Sequence, residues 1–309
     1  MYEPPLSQII SQAVARVQVE MRQTAPFMAG QVSRWLEQLA GRAQPDTYFK
    51  HPLAFPALLL PWWLEKTIRP QPDLDFQANL AYSTINGYYY IRLIDNLMDG
   101  HATNEVDLLP ALGFFHTQFQ FVYQPYFEAD QPFWDFFKAT WFHTAESTMI
   151  DASLTEIDEA TFWQVAAQKV AAAKIPLAAV CYRYNQPDLL EPWSQLVDQL
   201  GGWHQFLNDL LSWYRDHTSQ GCTYFLSEAE RRRGDHEPVV SWVAREGFDW
   251  ASNQLQRWLW TLQDLAVTLH SPDLTAYLAR REQMLRQQQQ DVAEGLRHLA
   301  RLLNLGKAG

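Results

Sequence analysis

Cysteine is nearly absent from this chain: of 309 residues, only Cys181 and Cys222 carry a thiol. There is no CxxC, and their spacing suggests no disulfide framework, so a reducing, cytoplasmic setting is expected. Long hydrophobic runs are missing too. The stretch FPALLLPWWL (55–64) is too short to span a bilayer and holds two prolines. The N-terminus, MYEPPLSQIISQAVARVQVEM, lacks a basic segment followed by an apolar one, so it does not read as a signal peptide. Stable membrane insertion is therefore not expected. Positive charge is scarce: 24 Lys and Arg face 35 Asp and Glu, a net charge of −11. That balance disfavours a nucleic-acid partner and loose adhesion to an anionic membrane. It still permits a polyanionic ligand bridged by metal cations or by local Lys and Arg. No P-loop and no GxGxxG after a strand occur. No ExxH occurs either, which argues against a di-iron carboxylate bundle. The histidines His101, His143, His204 and His217 fit no metal spacing.

What is present is apolar and aromatic. Hydrophobic residues make up 47% and aromatics 14%, with 13 Trp, enough for a sizeable core. Apolar residues recur at three and four in SQIISQAVARVQVEM, in VSRWLEQLAG and in ASNQLQRWLWTLQDLAVTL, the helical period. No run of alternating strands, no internal repeat and no Gly-Pro linker interrupts this pattern. Prolines such as Pro52, Pro61, Pro110, Pro132, Pro192, Pro238 and Pro272 read as stops between helices. LARREQMLRQQQQDVAEGLRHLARLL reads as one long helix with QQQQ on a solvated face. The expectation is an all-α, single-domain helical bundle over residues 1–309, with roughly ten or more helices.

Two stretches place oxygen-bearing side chains on such helices. In YYYIRLIDNLMDGH (88–101), Asp95 and Asp99 are four apart and project from one face, about 6 Å apart along the axis. Ionised carboxylates on an apolar helix are costly unless a cation or partner compensates. The plain alternative is a solvated helix end with Gly100 as its stop. In HQFLNDLLSWYRDH (204–217), Asn208, Ser212 and Asp216 recur at i, i+4 and i+8, one stripe about 12 Å long. Amide, hydroxyl and carboxylate in a row suit a hard divalent cation such as Mg²⁺, which takes oxygen ligands and often shares them with phosphates. A chance polar stripe on an amphipathic helix is the alternative. Two such stripes could face each other across a cavity.

The pair of motifs resembles the class I terpenoid synthase superfamily, whose cyclases carry DDxx(D/E) and (N/D)DxxSxx(K/R)E. Here the first is Asp95-Asn96-Leu97-Met98-Asp99, and the second is Asn208-Asp209-Leu210-Leu211-Ser212-Trp213-Tyr214-Arg215-Asp216. Asn96 replaces the second aspartate and Asp216 the usual glutamate. QGCTYFLSEAERRRG, the amphipathic VVSWVAREGFDWASNQL, AAAKIPLAAVC and Gly202-Trp203-His204-Gln205 extend the likeness over roughly residues 80 to 260.

The resemblance implies a helical bundle with a central active-site cavity and three Mg²⁺ ions, two held by Asp95 and Asp99 and one by Asn208, Ser212 and Asp216. It implies that Arg215 contacts a diphosphate, with Lys174 and Arg297 as further basic contacts and Tyr88 among the aromatics facing a carbocation. Pro176 would free the Ala172 carbonyl by breaking its helix. Phe137, Trp141, Trp163 and Phe206 are either cavity aromatics or core. Arg231, Arg232 and Arg233 read as a solvated loop rather than a diphosphate clamp. The implied activity is that of a Mg²⁺-dependent terpene synthase, a lyase ionising a linear C15 or C20 prenyl diphosphate to a cyclic or rearranged terpene. The alternative is head-to-head prenyl coupling of the squalene and phytoene synthase type, against which Ser212 stands. A third is a helical scaffold that binds partners. A homodimer is compatible with all three.

Overall fold

The computed structural model describes residues 2–41, 44–98 and 105–305, apart from the side chains of 166, 293 and 296–305. Among these residues there are helices and turns and no strand. In chain order the helices are α1 (Pro4–Thr24), α2 (Pro26–Leu39), α3 (Pro45–Phe49), α4 (Leu60–Ile68), α5 (Leu74–Met98), α6 (Ala111–Phe121) and α7 (Pro132–Asp151). There follow α8 (Glu159–Gln164), α9 (Lys174–Arg183), α10 (Leu190–Thr218), α11 (Tyr224–Arg232), α12 (Val239–Trp242), α13 (Phe248–Thr268) and α14 (Pro272–Leu305). Backbone contacts gather into two compact units: residues 1–152 with 169–197, and residues 153–168 with 198–309. The division falls inside α10.

The prolines punctuate as expected, but most of them open helices rather than close them. Pro4, Pro26, Pro45, Pro132 and Pro272 are first residues, and Pro61 and Pro192 lie in first turns. There the missing N–H is one that would have no intrahelical partner anyway, and the fixed φ is already helical. Side chains cap other starts. Asp158 accepts from the Thr161 N–H at 2.7 Å, and Thr223 from that of Leu226 at 3.2 Å.

In the first unit α1 and α6 pack on α5, α2 packs on α1, and α4 and α7 pack on α9. Ile10, Val17, Phe76, Leu80, Ile85, Leu93 and Phe115 close this core. One carboxylate, Glu65, is fully buried in it. It accepts from the Asp73 N–H (2.7 Å), Gln77 Nε2 (2.6 Å) and the Tyr184 hydroxyl (2.7 Å), so α4, α5 and α9 are tied together through one side chain. Both Glu65 oxygens are satisfied, which is what makes its burial tolerable.

The second unit is built on rings. Phe162 stacks on Trp258 (centroids 5.6 Å) and on Tyr224 (5.0 Å), and Phe206 meets Trp258, Tyr224 and Trp250. Trp163 lies so close to α10 that a Cβ on Gly202 would come within 2.1 Å of its ring. Trp203 donates its indole N–H to the Leu255 carbonyl of α13 at 3.0 Å. Between α12 and α13 the chain makes one π-helical turn, Val243–Gly247, where the sequence pattern reads as continuous helix. Helix α14 runs 34 residues, and the glutamines 287–290 are half-buried or exposed, as a solvated face requires.

Candidate functional site

The first unit encloses a cavity of about 650 Å³. One wall is a face of α5: Thr84, Gly87, Tyr88 and Ile91, spaced at three, one and three. Ala172, Ala173 and Pro176 with Lys169 and Val170 also line it, and Phe119 contributes from α6. The rest comes from residues 39–58, including Tyr48, Phe49, Leu53 and Phe55. Among the described residues, Lys169 is the only lining side chain that carries a full charge.

Asp95 continues the α5 face one turn past Ile91, so the helical period places it in line with the cavity wall. Its carboxylate is held from two sides. Arg92 Nη1 lies 3.5 Å from Oδ2, and Lys169 Nζ lies 3.5 Å from Oδ1. The same ammonium reaches Asp151 Oδ2, at the end of α7, at 3.0 Å. Asn96, where the motif has a second aspartate, is buried off this face and donates to Glu105 Oε1 at 3.4 Å. An aspartate there would set two carboxylates side by side, so the amide is explained by its neighbour. Asp99 lies outside the described residues, together with Gly100 and His101, and so does the side chain of Arg297.

Tyr88 lines the cavity, and its hydroxyl is hydrogen-bonded to that of Tyr48. Burial, reinforced by Tyr48, pushes the Tyr88 phenol well above its ordinary pKa, so it stays protonated. Phe137 and Trp141 lie behind the wall. They pack on the cavity residue Phe119 at 5.0 and 4.6 Å between centroids. Trp163 and Phe206 belong to the ring cluster of the second unit and do not line this cavity. Lys174 does not line it either. Pro176 does, but it sits in the first turn of α9, where a 3₁₀ segment, Ala166–Ala173, hands over to α-helix. The proline therefore marks a helix start rather than a break within a helix.

In the second unit α10 keeps Asn208, Ser212 and Asp216 on one stripe, with Asn208 exposed and the other two half-buried. The Ser212 hydroxyl is 2.8 Å from the Asn208 carbonyl and 2.5 Å from Asp216 Oδ2, and its single proton serves one of them at a time. Arg215, largely exposed, directs Nε (3.1 Å) and Nη2 (3.0 Å) at Asp216 Oδ1. Asp209 is buried, accepts from Gln205 Nε2 at 2.9 Å, and lies off the stripe. The three stripe residues offer oxygen only, with one carboxylate, a donor chemistry that fits Mg²⁺. Among the described residues no three His, Cys, Asp or Glu side chains gather as a metal centre. Asn208 and Ser212 fall outside that set of donors.

Three further readings are decided by the fold. The arginines 231–233 are not a free loop: Arg231 and Arg232 end α11 and Arg233 follows directly. Arg231 pairs with Glu156 (2.8 Å) and Glu228, Arg232 with Glu228 (2.7 Å), and Arg233 with Glu230 (2.5 Å). Cys181 is buried and Cys222 exposed, and neither forms a disulfide. The stretch Glu159–Arg183 is long and apolar enough to cross a membrane by length and composition, but 59% of its most apolar window is buried inside the protein. The sequence pattern gave no sign of Lys169, Asp151 or the wall at 39–58. These are a lone lysine, the last residue of a helix and a short stretch with three prolines and the five-residue α3, none of which carries a periodic signal.

No protein-family model matches this chain, and no curated protein matches it.

Proposed function

We propose that this protein is a Mg²⁺-dependent class I terpene synthase that ionises a linear C15 or C20 prenyl diphosphate and releases diphosphate. The observation that carries the reading is the continuity of the α5 face: Thr84, Gly87, Tyr88 and Ile91 wall an apolar cavity, and Asp95 follows on the same face. A long apolar chain with an anionic end matches that arrangement. The cavity lies within the range usual for small-molecule pockets, about 300–1,000 Å³.

Asp95, and Asn208, Ser212 and Asp216, would hold the metal ions. Bound Mg²⁺ would draw charge off the diphosphate, the Lewis-acid part of the chemistry. The chain's own contribution is of three kinds. Arg215 supplies a guanidinium for diphosphate oxygens, which a planar fork binds well. The lining of Leu, Ala and Phe side chains keeps water from an allylic cation. The rings of Tyr48, Phe49, Tyr88 and Phe119 offer π faces to it, each worth about 2 kcal/mol when desolvated. Tyr88, held protonated, is not a base in this scheme.

The test is incubation of purified protein with Mg²⁺ and, separately, C10, C15 and C20 prenyl diphosphates. Products are read by mass spectrometry and diphosphate by a coupled assay. A product of unchanged carbon count, lost with EDTA and in Asn208→Ala, is expected. A product of doubled carbon count would replace this reading with head-to-head coupling. Folded protein that turns over none of the three would leave a binding scaffold.

A further inference from the structure

An ammonium in the wall of an apolar cavity is costly unless it is paired, and Lys169 is paired twice. It lies 3.5 Å from Asp95 Oδ1 on α5 and 3.0 Å from Asp151 Oδ2 at the end of α7. Two carboxylates thus converge on the one charged group that lines the cavity among the described residues. Asp151 is the closer partner. Asp95 has a second cation of its own, Arg92, at 3.5 Å. If Lys169 left Asp95, Asp95 would still be compensated by Arg92 and Lys169 by Asp151. The arrangement is therefore built to let one of the two bonds open. All three side chains are about one-quarter exposed or less, so an incoming anion would meet an ammonium that is only partly screened.

We propose that Lys169 receives the anionic end of an amphiphile held in this cavity, exchanging Asp95 for it while Asp151 keeps the ammonium in place. Lys169 would touch the ligand, and Asp151 is a positioning residue. The inference rests on the reading of the cavity as the seat of a prenyl chain. It adds two features: which cation meets the head group, and that Asp95 competes with that head group for it. The apolar chain would then extend along α5 from Ile91 toward Thr84, about 10 Å of wall. The recognised chemistry is an anionic head on an apolar tail, which a prenyl phosphate or a fatty carboxylate could supply.

The experiment uses the full chain without metal, in EDTA, so that binding is read apart from turnover. Calorimetric titration compares farnesyl monophosphate, farnesol and palmitate. The wild-type protein is expected to bind farnesyl monophosphate about tenfold more tightly than farnesol, the worth of one charge-assisted contact. Lys169→Met should abolish that difference and leave farnesol affinity unchanged, whereas Lys169→Arg should keep it. Asp151→Asn should weaken the monophosphate about threefold. Asp95→Asn should tighten it by a similar factor, because the competing carboxylate is gone. That gain is the outcome a purely structural ion pair would not produce. Equal affinities in the wild type, no binding of either farnesyl compound, or a head-group preference that survives Lys169→Met would each overturn the proposal. If Lys169→Met does not fold, as judged by circular dichroism, weaker binding in Asp95→Asn overturns it instead. Palmitate bound tightly through Lys169 alongside farnesyl monophosphate, with no turnover of any prenyl diphosphate by wild type in Mg²⁺, would uphold this inference and defeat the synthase reading.

Discussion

Asp95 and Asp216 are both acids near the C-terminal end of a long helix, each half-buried and each held at both oxygens. They differ in where their partners come from. Asp216 is held by Ser212 and Arg215, four and one residues before it on the same helix. Asp95 takes one local partner, Arg92, and one from a segment more than seventy residues away, Lys169. A carboxylate satisfied by its own helix is fixed wherever that helix goes. One satisfied across the fold depends on the packing of α5, α7 and the 3₁₀ segment before α9. The stripe on α10 is thus a local device, and the α5 site is a tertiary one.

The largest effect that would sharpen this contrast is on turnover. Asp95→Ala and Asn208→Ala should each lower Mg²⁺-dependent diphosphate release about a thousandfold, roughly 4 kcal/mol of transition-state stabilisation. If both residues serve one diphosphate, the double variant should lose little more than either single one, and steady-state kinetics on all three proteins reads this directly. Losses that multiply would mean two independent sites.

A third carboxylate marks the structural extreme. Glu65 is buried and accepts from three groups, at the start of α5 and the end of α9, so Glu65→Ala leaves the Asp73 N–H, Gln77 and Tyr184 without their acceptor. Urea unfolding should show a loss of about 3 kcal/mol, while Asp216→Ala, on a partly solvated stripe, should change stability by less than about 1 kcal/mol. Comparable losses in the two would break the distinction between an acid buried in the core and one on a partly solvated stripe.

Next comes the helix that carries the local stripe. A Cβ at Gly202 would lie 2.1 Å from the Trp163 ring, so Gly202→Ala should cost about 2 kcal/mol through displacement of that ring. Gly113, exposed in α6 with open space around its Cα, is the control. Gly113→Ala should stabilise by about 0.5–1 kcal/mol through helix propensity alone. Thermal melts of the pair give opposite signs if α10 is held by ring packing.

The smallest effect is in pH. His204, also on α10, has its ring nitrogen Nε2 2.9 Å from the Tyr277 hydroxyl. Desolvation, and then the charge of Arg281, hold its pKa well below the ordinary 6.5. A depressed histidine is neutral in the folded chain and charges on unfolding, so it stabilises the fold fully above pH 6.5. That stability is lost as pH falls below this value, with a slope of up to about 1.4 kcal/mol per pH unit. Between pH 6.5 and about 5, before carboxylates contribute, denaturation midpoints should fall in the wild type and stay nearly level in His204→Gln. A level wild-type profile would remove His204 from the account of α10.

The same contrast runs through what could be read in advance. The helical period alone gave the all-α class, the long last helix and the Asn208–Ser212–Asp216 stripe, because i, i+4 and i+8 share a face in any α-helix. It also put Asp95 and Asp99 on one face of the helix that became α5, while the alignment of Tyr88 with a cavity wall came only from the fold. Proline positions marked the boundaries, though not whether a helix began or ended there, since a proline suits a first turn as well as it stops a last one. The arginines 231–233 read as a loop because three adjacent charges have no period, and only their glutamate partners showed a helix end. Lys174 and Lys169 are indistinguishable in the one-dimensional pattern, both being single lysines in an alanine-rich run. Which one lines the cavity depends on where the 3₁₀ segment gives way to α9, because that hand-over changes the angle between successive side chains. Local spacing determined the faces of the helices. Tertiary packing alone decided which residues from 39–58, α6 and 169–176 close against α5, and that Lys169 would stand between Asp95 and Asp151. Ion pairs and cavities are made by groups far apart along the chain, and no periodicity records them.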